Sequence, residues 1–381
     1  MLLDIIKNSR ALLCLECGKC TGICPVSRFN RNYSPRILLN RALRGVNSDL
    51  LKDKNIWNCL TCKLCDEHCP ADIDYISLTQ AIRFEANKLG EEALCSHGGA
   101  AQSLMRIMAT PSLSPKRMDW IDKELKFAEN GEVLYFVGCA PFFDVLFSDI
   151  GVFSTKSANA TIRILNKLDI IPVILKDERC CGHDLLWQGD FESFKRLAQY
   201  NIEIIKKSGV KKIIFSCPEC YRTFKIDYTK YFDFGIEMLH ISEVVARAIG
   251  EKRLKFKELE RTVTFQDPCR LGRHLGIYDE PRSVFNSIPK LILKEMRRSK
   301  NRAICCGVSA WMNCSNYSKR VQMMRLKEAK ETSADLFVLA CPKCEIHFNC
   351  AMKETPDAQR SEEIKIETTN LTNLIADTLM E

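Results

Sequence analysis

The chain lacks long apolar runs, an export signal and blocks of like charge. No stretch approaches the roughly 18 apolar residues of a membrane helix, so we expect no direct membrane span. The N-terminal residues include Asp4, Lys7 and Arg10, which is not the pattern of a signal peptide. The formal net charge is +8, but Lys and Arg form no block of five or more, so we predict no nucleic-acid partner.

Cysteine, by contrast, is abundant, with 21 cysteines among 381 residues. A secreted disulfide protein could carry so many. However, the count is odd, and adjacent cysteines such as Cys180 and Cys181 make poor disulfide frameworks. We therefore predict metal-binding thiolates in a reducing, anaerobic cytoplasm, with membrane association only through a partner protein.

Two cysteine runs near the N-terminus share the spacing C-x2-C-x2-C-x3-C-P. Bacterial two-cluster ferredoxins have this run, and its fourth cysteine ligates the other cluster. Zinc is the alternative that C-x2-C spacing alone allows, but the longer pattern is more specific. The rule predicts two cubane [4Fe–4S] clusters that relay electrons, one held by Cys14, Cys17, Cys20 and Cys69, the other by Cys24, Cys59, Cys62 and Cys65. The helix between the runs resembles the α-helical ferredoxin module of succinate-dehydrogenase-type subunits.

The predicted elements divide the chain into a helical part and an α/β part. Residues 1–95 form an α-helical ferredoxin domain, in which Ser34-Pro35 opens one helix and Gly90 ends another, and 96–131 is predicted to be a linker. From residue 132, short apolar strands alternate with amphipathic helices. We predict strands at 133–137, 170–175, 212–215, 262–265 and 336–339, with helices at 191–207 and 316–331. Residues 132–250 and 251–381 are thus predicted to be duplicated α/β domains in a pseudo-twofold arrangement.

Each α/β domain carries five cysteines in the same order. The first quintet is Cys139, Cys180, Cys181, Cys217 and Cys220, and the second is Cys269, Cys305, Cys306, Cys341 and Cys344. Several follow predicted strands, where sites form in α/β sheets. Pro218 and Pro342 begin predicted helices, whose N-termini stabilise thiolates, and Gly182 and Gly307 let backbone pass close to sulfur. Five thiolates exceed an ordinary four-ligand site, and the extra one can bridge two irons.

The quintets resemble the CCG-domain family, whose pattern is C-x(n)-CCG-x(n)-C-x2-C. With the cubane pair, the arrangement resembles heterodisulfide reductase subunits of the D type, equivalent to a ferredoxin-like C subunit fused to a catalytic B subunit. The resemblance covers nearly the whole chain. It implies a noncubane [4Fe–4S] cluster on each quintet, and a disulfide of coenzymes M and B that is cleaved between the two clusters. It also implies an electron-donor partner, either a membrane cytochrome b or a soluble flavoprotein.

A second class of protein shares this layout. Iron–sulfur subunits of flavin-dependent dehydrogenases for glycerol-3-phosphate, glycolate or lactate act as electron relays. Their CCG motifs are often incomplete, whereas all ten positions are filled here, which favours catalysis on a disulfide.

Residues beside the cysteines are candidates for catalysis and substrate binding. Cys181 and Cys306 are the expected reactive thiolates. His183 could supply a proton near pH 7, and the alternative is a loop histidine that bonds to backbone. The predicted substrate-binding group is Arg270, Arg273 and His274, which suit sulfonate or phosphate, with solvated surface as the alternative.

Five further residues are predicted to be structural. We expect Trp187 and Trp311 to lie in the core near the clusters. Cys95, Cys314 and Cys350 fall outside every motif, and we expect them to be buried small hydrophobes.

Overall fold

The structure is a computed structural model that describes residues 2–115, 117–353 and 364–380. The strands are β1 Val133–Phe136, β2 Lys212–Phe215, β3 Glu237–His240, β4 Thr262–Phe265, β5 Ile292–Leu293, β6 Leu336–Leu339 and β7 Glu367–Asn370. The helices are α1 Leu2–Asn8, α2 Lys19–Ile23, α3 Pro35–Arg44, α4 Ser48–Leu51, α5 Leu64–Glu67, α6 Tyr75–Lys88, α7 Ala100–Met108, α8 Ala140–Leu146, α9 Ser154–Lys167, α10 His183–Gln188, α11 Phe191–Ser208, α12 Pro218–Arg222, α13 Thr229–Tyr231, α14 Ile241–Gly250, α15 Asp279–Ser287, α16 Asn316–Glu331, α17 Pro342–Lys353 and α18 Leu371–Thr378.

The chain divides into two compact units that are not continuous in sequence. Unit 1 comprises Met1–Thr110, Gly182–Arg196 and Asn301–Arg325, and unit 2 comprises Pro111–Cys181, Leu197–Lys300 and Leu326–Glu381. The residues that follow each CCG motif therefore belong with the N-terminal part of the chain. Among the described residues, no helix combines the length and apolar character needed to cross a membrane.

Unit 1 is helical and is built around α3 and α6. The Ser34 hydroxyl accepts a hydrogen bond from the backbone N–H of Ile37, and Pro35 occupies the first turn, so α3 begins as predicted. The α6 helix ends before Gly90, which has a φ of 78°. Trp187, Ala310 and Met312 join the apolar core of this unit, and α7 lies within the predicted linker 96–131.

Unit 2 contains two parallel sheets, with strand orders β1-β2-β3 and β5-β4-β6-β7. The register pairs Val133 with Lys212 in the first sheet and Val263 with Leu336 in the second. β1, β2 and β4 each bury their last three residues, and all of β6 is buried, as is usual for parallel strands covered by helices. The α/β class and the strands at β1, β2, β4 and β6 thus confirm the sequence prediction.

The two halves of unit 2 repeat the same order of strands. β1, β2 and β3 occupy the places that β4, β6 and β7 occupy in the second sheet. The helix that follows the first strand of one half packs on the helix that follows the last strand of the other half. Thus α9 packs on α18, and α15 packs on α14. Equivalent helices therefore make equivalent contacts across the repeat.

The predicted strand at 170–175 is wrong in extent. Val173 alone forms isolated parallel bridges to Leu134 and Ala128. Pro172 has no backbone N–H, so the hydrogen-bond ladder with the segment at Ala128 cannot continue before Val173.

Gly189 shows how closely α10 and α6 approach each other. Its φ is +89°, and a Cβ there would lie 2.4 Å from the carbonyl oxygen of Arg83. We predict that Gly189→Ala destabilises the protein by about 1–3 kcal/mol beyond the cost of its positive φ, because overpacking against backbone adds to the strain. The measurement is the thermal unfolding midpoint of the anaerobically purified protein.

Gly90→Ala is the matched control, since Gly90 has a φ of +78° and nothing within 4 Å of its ideal Cβ. It should cost only the left-handed backbone strain of about 1–2 kcal/mol. Equal losses in the two variants would contradict the close approach.

Candidate metal centres

The two ferredoxin-type loops adopt the same backbone turns. Glu16 and Gly18 in the first loop, and Thr61 and Lys63 at the matching places in the second, all have positive φ. These turns curl the loop around its cysteines, and the N–H of Thr61 points at the Cys59 sulfur, 3.3 Å away. Two loops of one conformation are what a duplicated cluster-binding motif requires.

Each loop forms a cavity with the last cysteine of the other loop. The first cavity is lined by Cys14, Cys17, Cys20 and Cys69, and Cys65 also reaches its wall. The second is lined by Cys24, Cys59, Cys62 and Cys65. The structure thus brings together the two predicted cubane ligand sets, each with one cysteine from the other loop.

The thiols in each cavity lie close enough to influence one another's ionisation. Burial raises the pKa of Cys20, and the nearby Cys14 and Cys69 sulfurs raise it further. Burial likewise raises the pKa of Cys24 to about 12, with Cys62 and Cys59 as its close neighbours. Thiols held neutral by burial ionise when they coordinate a metal, so these donor sets fit iron–sulfur clusters.

A pair of buried tyrosine hydroxyls joins the two cavities. Tyr33 lines the second cavity and Tyr75 lines the first. Their hydroxyl oxygens lie 3.4 Å apart. Burial raises the pKa of the Cys59 thiol, and the neighbouring Tyr33 hydroxyl acts in the opposite direction.

Arg83, on α6, anchors the second loop. Its guanidinium is fully buried and donates to the carbonyl oxygens of Ile56, Trp57 and Cys59 at 3.0, 3.1 and 2.8 Å. It also donates to the carbonyl oxygen of Trp187 at 3.0 Å. One charged side chain therefore ties a predicted cluster ligand to the helix that follows the first CCG motif.

The segment after the second CCG motif meets the same loop. The hydroxyls of Thr61 and Ser309 lie 2.9 Å apart, and Asn313 donates to the side-chain oxygen of Asn58 at 3.2 Å. Gln188 donates to the carbonyl oxygen of Ala310 at 2.7 Å. Within unit 1, both post-CCG segments thus pack around the second ferredoxin loop.

The first quintet lies wholly in unit 2, at the carboxyl edge of the first sheet. Cys139 follows β1, and Cys217 follows the adjacent β2 and precedes Pro218, the first residue of α12. The hydrogen bond that the Cys181 thiol makes with Cys180, together with burial, raises the pKa of Cys181. Sulfur contacts with Cys181 and Cys217 likewise raise the pKa of Cys220. At least four of the five thiols therefore converge on one place.

Polar side chains hold the loops of this quintet. The Glu178 carboxylate accepts hydrogen bonds from the N–H groups of Val137 and Gly138 and from Arg117. Tyr228 donates to the carbonyl oxygen of Cys181 at 3.1 Å. Because these contacts fix backbone rather than sulfur, the thiols keep their coordinating atoms for a metal.

Gly138 is required by the first quintet, although no motif in the sequence marks it. It has a φ of +67°, and a Cβ there would lie 2.8 Å from the Cys220 sulfur. The close passage of backbone to sulfur therefore occurs at Gly138. A Cβ at Gly307 would first meet Gln322 and the Ser318 carbonyl oxygen, at 2.8 Å each, so helix packing also requires this glycine, and the close passage to sulfur there stays a prediction.

The cysteines of the second quintet belong to both compact units. Cys269 follows β4 and Cys341 follows β6, with Cys344 on α17, and these three belong to unit 2. Cys305 and Cys306 are buried in unit 1.

An ion pair connects the two C-P-x-C motifs within unit 2. Glu219 lies between Cys217 and Cys220, and Lys343 occupies the same place in the second motif. The Lys343 Nζ lies 2.6 Å from a Glu219 carboxylate oxygen, and the side chains are only 5% and 13% exposed. The two motifs therefore face each other through residues at equivalent positions.

The candidate catalytic and substrate-binding residues are buried. The His183 Nδ1 lies 2.9 Å from a carboxylate oxygen of Asp184, so this histidine pairs with a side chain. Arg270 and Arg273 are buried and His274 is half-buried, 2.8 Å from Arg270. The alternative of a solvated surface at this place is therefore wrong.

The residues predicted to be structural divide into two groups. Trp187 and Trp311 are fully buried, which confirms the core prediction. Cys95 and Cys350 are half-buried, but Cys314 is exposed, so the prediction of burial is wrong for Cys314.

Comparison with known proteins agrees with this layout. Residues 10–73 match the 4Fe-4S dicluster domain family, and residues 133–225 and 263–349 each match the cysteine-rich domain family. The D-type subunit of the dihydromethanophenazine:CoB--CoM heterodisulfide reductase of Methanosarcina barkeri is 30% identical over 365 residues, which cover 87% of this chain and 86% of that protein. The EtfAB:quinone oxidoreductase of Syntrophomonas wolfei is 25% identical and covers 87% of this chain, which matches 54% of that protein.

A solved structure shares the fold. The crystal structure of a hypothetical protein from Helicobacter pylori superposes with a TM-score of 0.54 at 13% identity, over 99% of this chain and 76% of that one.

The fold and the cysteine sites define an iron–sulfur protein in which a [4Fe–4S] dicluster domain precedes two cysteine-rich α/β domains. The chain belongs to the family of D-type heterodisulfide reductase subunits. It is an iron–sulfur protein that is also related to EtfAB:quinone oxidoreductase.

The shared cavities make cross-ligation testable. Cys14→Ala and Cys69→Ala should lose the same paramagnetic signal of the reduced protein, because both cysteines line the first cavity. Cys24→Ala and Cys59→Ala should lose the other signal, and each variant should lose about four irons. Electron paramagnetic resonance with iron analysis is the measurement. If Cys69→Ala and Cys59→Ala lose the same signal, the cross-ligation is absent.

Proposed function

We propose that the chain is the catalytic iron–sulfur component of a heterodisulfide reductase. Two cubane clusters would be held by the eight ferredoxin-type cysteines, and one noncubane [4Fe–4S] cluster by each quintet. When bound, these clusters supply single electrons. Cleavage of a disulfide of the coenzyme M–coenzyme B type consumes two electrons and two protons and releases two thiols.

The ion pair between Glu219 and Lys343 carries this proposal. It joins the C-P-x-C motif of one quintet to that of the other, with 2.6 Å between the charged groups. A disulfide has two sulfurs, and reduction from both sides needs two sites that face each other. Together with the reciprocal packing of α9 on α18 and α14 on α15, the ion pair supports a pseudo-twofold relation between the two α/β domains.

Residues near the quintets would position the substrate and its proton. Cys181 and Cys306 are the proposed reactive thiolates. His183 is the proposed proton donor, and its contact with Asp184 would fix the ring orientation. Arg270, Arg273 and His274 would bind an anionic group of the substrate, since a buried guanidinium favours an oxyanion partner.

Electron relay beside a flavin-dependent dehydrogenase is the second candidate function. The relationship to EtfAB:quinone oxidoreductase supports it, although this chain spans about half the length of that protein. For the catalytic function, by contrast, the proposed partner is an electron-donor protein, either a membrane cytochrome b or a soluble flavoprotein. Complete quintets are expected for catalysis and are unnecessary for relay.

Disulfide cleavage can be tested directly. The anaerobic protein should contain about sixteen irons and should cleave the mixed disulfide of coenzymes M and B with reduced methyl viologen as donor. Cys306→Ala should abolish cleavage, and His183→Gln should slow it about 10²–10⁴-fold, as expected for a lost general acid. Both variants should keep the two cubane signals.

Cys350→Ser is the control, because Cys350 lies outside every motif, and its iron content and turnover should match the unmodified protein. About eight irons with no cleavage, together with reduction by a flavoprotein dehydrogenase, would replace the catalytic proposal by electron relay. Normal turnover in His183→Gln would remove its proposed role.

The facing C-P-x-C motifs make a second prediction. Glu219→Lys or Lys343→Glu alone should destabilise the protein by about 3–5 kcal/mol, since each leaves like charges buried together. The double exchange should recover most of the loss, because it restores an ion pair of reversed polarity. The measurements are denaturant unfolding and iron content of the anaerobic protein.

Glu258→Lys is the matched control, since the Glu258–Lys290 pair in the same unit is largely exposed. It should cost less than about 1 kcal/mol. Additive losses in the double exchange would mean that Glu219 and Lys343 do not act as a pair.

A further inference from the structure

The two ferredoxin-type loops differ in exposure. Cys17 is exposed and Cys14 and Cys20 are half-buried, whereas Cys59 and Cys62 are buried. The second loop is also enclosed by α6 and the post-CCG segments through Arg83, Ser309 and Asn313. An electron that reaches unit 1 from outside therefore meets the first loop before the second.

An apolar surface surrounds the exposed loop. Four large side chains on it are solvent-exposed, namely Leu12 at 65%, Leu13 at 52%, Leu15 at 67% and Ile37 at 49%. The turn Ala11–Leu13 contacts α3, which carries Ile37, and Leu15 lines the first cavity together with Arg36. We call these four residues the leucine face. Clustered large apolar side chains at the edge of a functional site mark an interaction surface.

The segment that carries the leucine face is positively charged. Residues 4–45 contain eight Lys or Arg against two Asp or Glu, an excess of six positive charges. A bound cubane would contribute about −2 and leave the segment positive. Six of the basic side chains are exposed, namely Lys7, Arg10, Lys19, Arg28, Arg31 and Arg44. Complementary charge steers partners into register, so the matching partner is acidic.

We propose that the leucine face is the docking site of an acidic protein that donates single electrons, and that electrons enter through the site of Cys14, Cys17, Cys20 and Cys69. The inference rests on the proposed relay role of the cubanes. One electron leaves the reduced cofactor of the partner, which is thereby oxidised, and the same electron reduces this site. Exposed Glu16 and Asp72 also lie near the face, so its positive charge is a net excess.

The test uses reduced flavodoxin, a small acidic flavoprotein, as the probe donor. The anaerobic full-length protein is mixed rapidly with it, and formation of the flavodoxin semiquinone is followed. Dithionite, which needs no docking, is the reference donor. The ratio of the two rates should fall about tenfold in the Leu12→Ser, Leu13→Ser double variant, equivalent to about 1.4 kcal/mol of lost contact. Ile37→Ser provides an independent variant should the double one lose iron.

Charge gives a second readout of the same surface. Raising the salt concentration should slow electron transfer from flavodoxin, because screening weakens attraction between exposed charges. At a fixed salt concentration, Arg10→Glu should transfer electrons from flavodoxin more slowly than the unmodified protein, since Arg10 adjoins the leucine face.

The controls are exposed residues elsewhere. Leu89→Ser changes an apolar side chain that is 57% exposed at the end of α6, and Lys207→Glu changes an exposed charge on α11. Both should leave the rate ratio unchanged. Equal losses in controls and test variants, or rates that do not fall with salt, would overturn the proposal.

Other occupants give different results. Binding to anionic lipid vesicles that is lost in the double variant would assign the face to a membrane. A dimer in sedimentation that dissociates in the double variant would assign it to a second copy of the chain. Either result overturns the acidic donor. Cleavage driven by methyl viologen tests the proposed function separately, because that small donor does not use the leucine face.

Discussion

Buried charged side chains that bind backbone hold the cysteine loops in place. Arg83 is the strongest case, with four hydrogen bonds to carbonyl oxygens in two separate segments of unit 1. Hydrogen bonds from a charged donor contribute about 1.5–3 kcal/mol each, and an unpaired buried charge would be costly. The α6 helix, the second ferredoxin loop and α10 are therefore fixed to one another before any metal is considered.

In unit 2, a buried carboxylate holds the loop backbone in the way that the Arg83 guanidinium does in unit 1. The Glu178 carboxylate binds the peptide N–H groups just before Cys139, and Arg117 bonds both that carboxylate and the carbonyl oxygen of Gly138. Burial raises the pKa of Glu178 to about 7, although Arg117 and the peptide groups favour the charged form. Loops bury too little apolar surface to fix their own conformation. The buried ion pair of Glu178 and Arg117 holds this loop backbone in place and so positions the predicted cysteine ligands.

The sequence predicts what depends on local pattern and misses what depends on distant contacts. The strands β1, β2, β4 and β6 and the helices α3, α11 and α16 follow from apolar periodicity and end residues, and the structure has them within a few residues. The pairing of Cys69 with the first loop follows from the ferredoxin spacing. Arg83 and Glu178, however, resemble ordinary polar residues in sequence, because their burial depends on segments far away in the chain. The predicted strand at 170–175 is reduced to one bridged residue, Val173, beside Pro172, whereas the need for Gly138 follows from the Cys220 sulfur next to it.

The two ferredoxin-type loops show that surroundings, rather than the motif, determine what a cluster site can do. Glu16 and Thr61 occupy matching places with the same left-handed backbone. Glu16 is exposed, whereas Thr61 is fully buried and bonds Ser309. The same turn thus presents a charge to water in one copy and a hydroxyl to the post-CCG segment in the other. Because the two copies differ in this way, their predicted ligand sets are unequal in access to solvent, with Cys17 exposed in the first loop and Cys59 and Cys62 buried in the second.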